Sequence, residues 1–92
     1  MSTSPAEDLA KCLAQWRADV AKLGLSRNDA QVAESIGRTV ERLIVAVKTE
    51  DVKEKALQAQ TYSWQITDAY FEQPPSGRAL SKAVERIARE RR

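Results

Sequence analysis

The side chains able to act as acids, bases or nucleophiles are carboxylates and one thiol. Two carboxylate pairs stand four residues apart, Glu50/Glu54 and Asp68/Glu72, and this spacing brings both members to one side of a helix. Such a pair can support general acid–base catalysis when burial raises the pKa of one carboxyl. Both pairs lie among charged and polar neighbours, so we expect a solvated helix surface instead. Because the sequence also has no histidine, the commonest general base, we predict that the protein is not an enzyme.

Metal and cofactor chemistry is also poorly represented. Cys12 is the only cysteine, and one thiol without a histidine forms neither a zinc cluster nor a disulfide within the chain. We expect Cys12 to be a small, half-buried residue rather than a reactive thiol. The three glycines are scattered, so no phosphate-binding loop is predicted. We therefore expect no metal and no cofactor, and the single cysteine favours a reducing compartment.

The most regular charge pattern is a row of cations near the C-terminus. Residues 76–92 contain six Lys or Arg and two Asp or Glu, a formal charge of +4, whereas the whole chain carries +2. Such a row can contact the phosphates of a nucleic acid or an acidic protein partner. We favour a third interpretation, a solvated helix whose cations suit the negative end of its dipole. The cations that recur along one side of the helix are Arg78, Lys82, Arg86 and Arg89.

A second indication of nucleic-acid binding is the stretch from Asp19 to Ala33, DVAKLGLSRNDAQVA. It resembles a helix-turn-helix of the repressor kind, in which a pattern of alanine, glycine and serine marks the turn between two helices. The resemblance implies that the second helix reads bases in the major groove. The residues that would then face DNA are Ser26, Arg27, Asn28 and Gln31.

The aromatic residues are candidates for a protein interface. Trp64 and Phe71 are seven residues apart, which on one helix favours a place in the core, with an exposed interface anchor as the alternative. Val45 and Tyr62 point away from the main apolar rows of their helices and indicate a second apolar surface. The candidate interface residues are Trp16, Val45, Tyr62, Trp64, Tyr70 and Phe71.

These side chains are positioned by helices, of which the first is the most strongly encoded. Ser4 is a good N-cap, Pro5 suits the first helical position, and Glu7 completes a capping box. Apolar residues then recur every three or four positions, and Gly24 is expected to stop the helix. We predict a helix over about 5–23.

The middle of the chain allows two arrangements. Ser26 can cap a second helix over about 27–48, which is amphipathic from Gln31 to Val47. The apolar pattern slips by about one residue near Thr49, which indicates a turn and a third helix over about 50–72. The alternative is one continuous rod from Arg27 to Glu72, which would need dimerisation to cover its apolar side.

The last helix follows a proline boundary. Pro74 and Pro75 cannot continue a helix, and Ser76 can cap the next one, over about 78–91. We predict an all-α fold, an antiparallel helical bundle of three long helices plus a short basic C-terminal helix, in a single domain over 1–92. Large apolar residues are few, so the core is thin, and we expect a homodimer or docking on a larger protein.

Together these patterns favour a small non-enzymatic protein–protein interaction module: an adaptor, inhibitor or accessory subunit that presents helix faces to a partner or to a second copy of itself. The alternative is a small nucleic-acid-binding or transcription-regulatory protein that uses the basic C-terminal helix. The longest apolar run, Leu43 to Val47, has five residues, and the N-terminus is acidic and polar. We therefore expect no membrane contact and a cytoplasmic location.

Overall fold

A computed structural model of the chain describes residues 4–66, 71 and 74–89. Within these residues the regular secondary structure is four α-helices without a strand, which confirms the all-α class. No helix among them has the length and apolar character needed to cross a membrane. The helices are α1 (Pro5–Ala21), α2 (Arg27–Lys48), α3 (Val52–Gln65) and α4 (Pro75–Arg89).

α1 begins as predicted and ends earlier than predicted. The Ser4 hydroxyl oxygen accepts a hydrogen bond from the Glu7 backbone N–H at 3.2 Å, and Pro5 occupies the first helical position. The helix ends at Ala21 rather than at Leu23, because the Leu23 N–H bonds to the carbonyl three residues before it in a tighter turn. Gly24 follows with φ of +64°, a conformation that favours glycine.

The chain turns between α2 and α3, so the helices are separate and do not form one rod. After Lys48 the Glu50 N–H bonds to the Val47 carbonyl at 3.3 Å, and the Asp51 N–H bonds to the Ala46 carbonyl at 2.9 Å. This pair of bonds is a Schellman motif, which normally has glycine in the left-handed position. Here Glu50 occupies that position with φ of 56°.

α3 is shorter than the sequence predicted. It begins at Val52, since the Asp51 carboxylate accepts a hydrogen bond from the Glu54 N–H at 3.0 Å and caps the helix. It ends at Gln65 rather than near residue 72, because Ile66 leaves helical geometry with ψ of 35°. Residues 67–70 and 72–73 of the predicted third helix lie outside the described residues.

α4 begins at Pro75, three residues before the predicted start at Arg78. Proline is well suited to a first helical position because it needs no N–H partner there. The Pro74 carbonyl accepts hydrogen bonds from the N–H groups of Gly77 at 2.8 Å and Arg78 at 3.4 Å. Ser76 is therefore inside the first turn and does not act as the predicted cap. Its hydroxyl instead donates to the Asp19 carboxylate at 2.5 Å and links α4 to the end of α1.

The four helices enclose one core. α1 packs against α2 and α4, and α3 packs against the same two helices, with the α3–α4 contact the least extensive. α3, with 14 residues, is not longer than α4, with 15. The division into three long helices and one short helix therefore does not follow from the described residues. The largest fully buried side chains are Leu9, Trp16, Ile36, Val40, Leu43, Leu80 and Val84.

Candidate functional site

Three of the six candidate interface residues are part of the core. Trp16, Tyr62 and Phe71 are each at most 3% exposed, so they are core residues and not exposed interface anchors. The Trp16 indole N–H donates to the Phe71 backbone carbonyl at 2.9 Å, and their ring centroids are 6.5 Å apart. These buried contacts correct the interface prediction for the three residues. Tyr70 lies outside the described residues.

Trp64 has the opposite outcome. The seven-residue spacing to Phe71 favoured the core, but Trp64 is 73% exposed, the largest value among the exposed large apolar residues. The spacing fails because α3 ends at Gln65, so the two aromatic residues do not share one continuous helix. The core-facing side of α3 instead carries Ala59, Tyr62 and, just past the helix end, Ile66.

Trp64 belongs to a row on the side of α3 that faces away from the core. Leu57 lies two turns before it and is 54% exposed. Gln60, between them, is also exposed, as is Lys53 one turn before Leu57. We call these four residues the outer side of α3. Leu57 was not among the candidate interface residues, because sequence periodicity alone does not say which side of a helix meets the core.

A groove of about 800 Å³ lies between α3 and α4 beside this row. Its lining includes short side chains from both helices, among them Ala56, Ala59 and Ala88. Leu57 belongs to both the groove and the outer side of α3. Small residues at these positions are the sequence signal that could have indicated the groove. The lining includes Ala56, Leu57 and Gln60 from α3, and Val84, Glu85 and Ala88 from α4.

The floor of the groove is fixed by a buried hydrogen bond. The hydroxyl groups of Tyr62 on α3 and Ser81 on α4 are 2.8 Å apart. Tyr62 is 2% exposed, and Ser81 is buried as well. A buried bond between two hydroxyls holds the helices at a set separation, since breaking it would leave polar groups without water. The floor of the groove therefore has a fixed shape in the folded protein.

The predicted row of cations lies on α4 beside this groove. All four of its side chains are exposed, on the side of α4 away from Leu80 and Ile87. We call these four residues, Arg78, Lys82, Arg86 and Arg89, the basic row. Glu85 lies between the basic row and the groove, since it borders both the groove and a depression formed with three of the cations. No carboxylate among the described residues forms an ion pair with the basic row, which consists of Arg78, Lys82, Arg86 and Arg89.

The helix-turn-helix-like residues lie at the start of α2. The Ser26 hydroxyl accepts a hydrogen bond from the Asp29 N–H at 3.2 Å and caps the helix. Arg27, Asn28 and Gln31 follow in its first turns, and all four predicted residues are exposed. The helices on either side of the turn have 17 and 22 residues.

Val45, the remaining candidate interface residue, is 59% exposed on α2. It lies on the solvent side of that helix, opposite the buried Leu43 and Val40. The lining of the groove does not include Val45. Val45 is therefore an exposed apolar side chain outside the groove, and single exposed apolar residues are common on protein surfaces.

The groups that could carry catalysis or hold a metal are dispersed. Burial raises the pKa of the Cys12 thiol, and the nearby Asp8 carboxylate adds to this, so the thiol has little nucleophilic character. The Glu54 carboxylate accepts a hydrogen bond from the Gln58 amide at 2.8 Å. Asp68 and Glu72 lie outside the described residues. Within the described part of the chain, no three His, Cys, Asp or Glu side chains gather as metal ligands would.

Comparison of the chain with protein-family models, with curated proteins and with solved structures finds no match. The groove, the outer side of α3 and the basic row are therefore the features from which a function has to be inferred.

Proposed function

We propose that the protein is a non-enzymatic interaction module that binds a helix of a partner protein at the α3–α4 groove and the outer side of α3. The observation that carries this proposal is the 73% exposure of Trp64, together with the exposed Leu57 at the groove. Tryptophan is among the residues that most often dominate the binding energy of protein interfaces. Exposure of two large apolar side chains beside a groove is typical of a docking surface.

The size of the groove suits a short helical segment. Its α3 side runs from Ala56 to Ile66, which corresponds to about 15 Å at 1.5 Å per residue. About three turns of a partner helix could lie along that length, with apolar residues at intervals of three and four entering the groove. Burial of a tryptophan removes about 150–250 Å² from water, or roughly 4–6 kcal/mol before the costs of association.

The proposal also includes the direction of the helices, the role of the module and its location. We infer that the helices run antiparallel, because the short links of residues 22–26 and 49–51 make neighbouring helices reverse direction. The module would act as an adaptor, inhibitor or accessory subunit without a metal or cofactor. Cys12 is free, which suits the reducing cytoplasm that we propose as its location.

The test is selection of helix-forming peptides on the purified protein, followed by affinity measurement with variants. We expect selected peptides to bind a variant carrying Leu57→Ala and Trp64→Ala at least about tenfold more weakly, as the loss of interface anchors predicts. Val45→Ala is the matched control, because Val45 is also exposed but does not line the groove. Equal binding to the double variant and to wild type would refute the proposal.

Self-association is the other possible use of the same surface. Light scattering over a range of protein concentrations measures it directly. A dimer that the Leu57→Ala and Trp64→Ala variant abolishes would assign the surface to a second copy of the chain. A monomer at all concentrations would leave the surface free for a different protein.

The second candidate function is nucleic-acid binding or transcription regulation, which the basic row favours. Phosphate contacts predict an affinity that falls steeply as salt is raised. Duplex DNA binding at two salt concentrations, with wild type and with all four cations changed to glutamine, tests this. The exposed residues Ser26, Arg27, Asn28 and Gln31 would add base contacts if the second helix entered the major groove. Absence of binding at low salt would remove this candidate.

A further inference from the structure

We propose that the helix bound in the α3–α4 groove is acidic along one flank, and that its carboxylates contact the basic row while its apolar side fills the groove. This inference rests on the proposed function and adds the chemical class of the partner. It is carried by the adjacency of a groove lined in part by apolar side chains, among them Leu57 and Val84, and four exposed cations on α4.

The order of residues around α4 gives the geometry. Leu80 and Ile87 face the core, Val84 and Ala88 line the groove, and Glu85 lies at the groove edge. Successive residues are 100° apart around a helix. Viewed down the axis of α4, Arg78, Arg89, Lys82 and Arg86 therefore follow Glu85 in that order on the side away from the groove. Lys82 and Arg89 stand three and four residues from Glu85, a spacing that puts Cβ atoms about 5–6 Å apart on a helix. A ligand in the groove therefore has its α4 flank beside the basic row.

The charges on the two sides of the groove favour an acidic ligand. The basic row has no carboxylate in ion-pair contact among the described residues, so within this part of the chain its cations are not already paired. Across the groove, the outer side of α3 is uncharged except for Lys53, which is also a cation. Among the described residues that line the groove, Glu85 is the one carboxylate. An acidic flank would thus meet a net positive edge.

The apolar component distinguishes a protein ligand from a nucleic acid. A phosphate backbone gains little from the exposed apolar side chains of Leu57 and Trp64, which belong to α3 and not to the helix of the basic row. Nucleic-acid surfaces combine cations with polar groups that contact phosphate and sugar. An amphipathic helix uses both halves of this surface at once, and the helix-in-groove arrangement is a common mode of peptide recognition.

The experiment is a peptide selection with flanking positions free to vary. The library fixes leucines at helical intervals of three and four, and allows glutamate, lysine, glutamine or serine at the flanking positions. We expect glutamate to be enriched on one flank of the selected peptides. Their affinity should fall about tenfold when Lys82→Glu and Arg86→Glu are combined, and should fall as salt is raised. Glu85→Gln should strengthen binding about two- to fivefold.

The matched control changes net charge equally on another surface. Arg27→Glu with Arg42→Glu places two reversed charges on the exposed side of α2. This variant should bind the selected peptides within about twofold of wild type, since neither arginine lines the groove or belongs to the basic row. An equal loss in both variants would show a general charge effect and overturn the inference.

The remaining outcomes separate the two proposals. Peptides that depend on Leu57 and Trp64 but show no acidic bias would overturn this inference and leave the proposed function standing. Absence of any peptide that depends on those two residues would overturn both. Binding of duplex DNA that requires Lys82 and Arg86, without peptide binding, would assign the basic row to nucleic acid and overturn both as well.

Discussion

α1 and α3 are helices of similar length that use their apolar residues in opposite ways. α1 buries Leu9, Leu13 and Trp16 with two smaller residues in one unbroken row. Within its length, α3 buries only Gln58, Ala59 and Tyr62. Its leucine and its tryptophan, Leu57 and Trp64, are exposed to solvent. The core-facing row of α1 thus serves stability alone, whereas α3 divides its apolar residues between the core and the surface.

The difference shows what a heptad spacing does and does not specify. Leu9 and Trp16 are seven residues apart on one helix, and both are buried. Trp64 and Phe71 have the same spacing, but a helix end at Gln65 separates them, and only Phe71 is buried. Equal spacing puts two residues on one side of a helix only while the helix continues.

The largest expected effect contrasts the two tryptophans. Trp16→Ala removes a fully buried indole and its hydrogen bond, so we expect a loss of about 3–5 kcal/mol in the free energy of unfolding. Trp64→Ala should change it by less than about 0.5 kcal/mol, because the side chain is exposed. Urea unfolding followed by circular dichroism measures both. Similar losses for the two variants would contradict the comparison.

A smaller effect tests how α3 is held against α4. Tyr62→Phe removes the buried hydroxyl that contacts the Ser81 hydroxyl, at an expected cost of about 1 kcal/mol in the free energy of unfolding. A double-mutant cycle with Ser81→Ala isolates the contribution of this pair. Thr61→Ala is the control, because the Thr61 hydroxyl bonds only locally to the Leu57 carbonyl. Additive single effects would mean that this bond does not couple the helices.

The contact between α1 and α2 predicts that Gly37→Ala, made in the wild-type protein, changes the free energy of unfolding by close to zero. A Cβ at Gly37 would lie 2.7 Å from the Arg17 guanidinium, which pairs with Glu41 at the surface. Gly37→Ala should gain about 1 kcal/mol in helix propensity and lose a comparable amount by displacing that ion pair. In an Arg17→Ala background the same change should stabilise the protein by about 1 kcal/mol. Thermal unfolding of the four proteins tests this coupling.

A further effect depends on pH and concerns the link between α1 and α4. The Ser76 hydroxyl holds the pKa of Asp19 below its usual range, and Gln15 and Lys22 contribute in the same direction. A carboxyl with a lowered pKa in the folded state stabilises the protein above its ordinary pKa of about 3.9, and this stability is lost as pH falls through the lowered value. Ser76→Ala should therefore destabilise the protein at neutral pH.

The pH dependence of this difference is the measurement. Urea midpoints of wild type and Ser76→Ala should converge as pH is lowered from 5 towards 2, whereas Ser63→Ala should keep a constant difference from wild type. The Ser63 hydroxyl donates to the Ala59 backbone carbonyl, which does not titrate. A Ser76→Ala difference that stays constant down to the lowest pH would contradict the role of the Asp19 contact.

Local signals in the sequence predicted much of the fold. The cap at Ser4 and the apolar row of α1 are found as expected, and α2 begins after Ser26 and ends at Lys48. The turn after α2 was indicated by a slip in the apolar pattern, although the left-handed residue there is Glu50 rather than glycine. Residue types alone could not predict the form of this turn, because its hydrogen bonds join backbone groups that do not depend on the side chains.

The candidate site was harder to predict because it depends on contacts between helices. Val45 was expected on a second apolar surface and is exposed, whereas Trp64 was favoured for the core and is exposed, and Trp16, Tyr62 and Phe71 are core residues. The groove arises where small residues of α3 meet small residues of α4, and no local pattern shows which sides of two helices will face each other. The basic row was visible because its regular spacing belongs to a single helix.

The contrast between Trp16 and Trp64 also gives the protein two optical reporters of its own. An indole enclosed by apolar side chains fluoresces at shorter wavelength than one in water, so the buried and exposed residues emit in different parts of the spectrum. Unfolding moves the emission of Trp16 towards longer wavelengths, whereas a ligand that covers Trp64 moves its emission towards shorter ones. Folding and docking therefore shift the emission of this chain in opposite directions, without any added label.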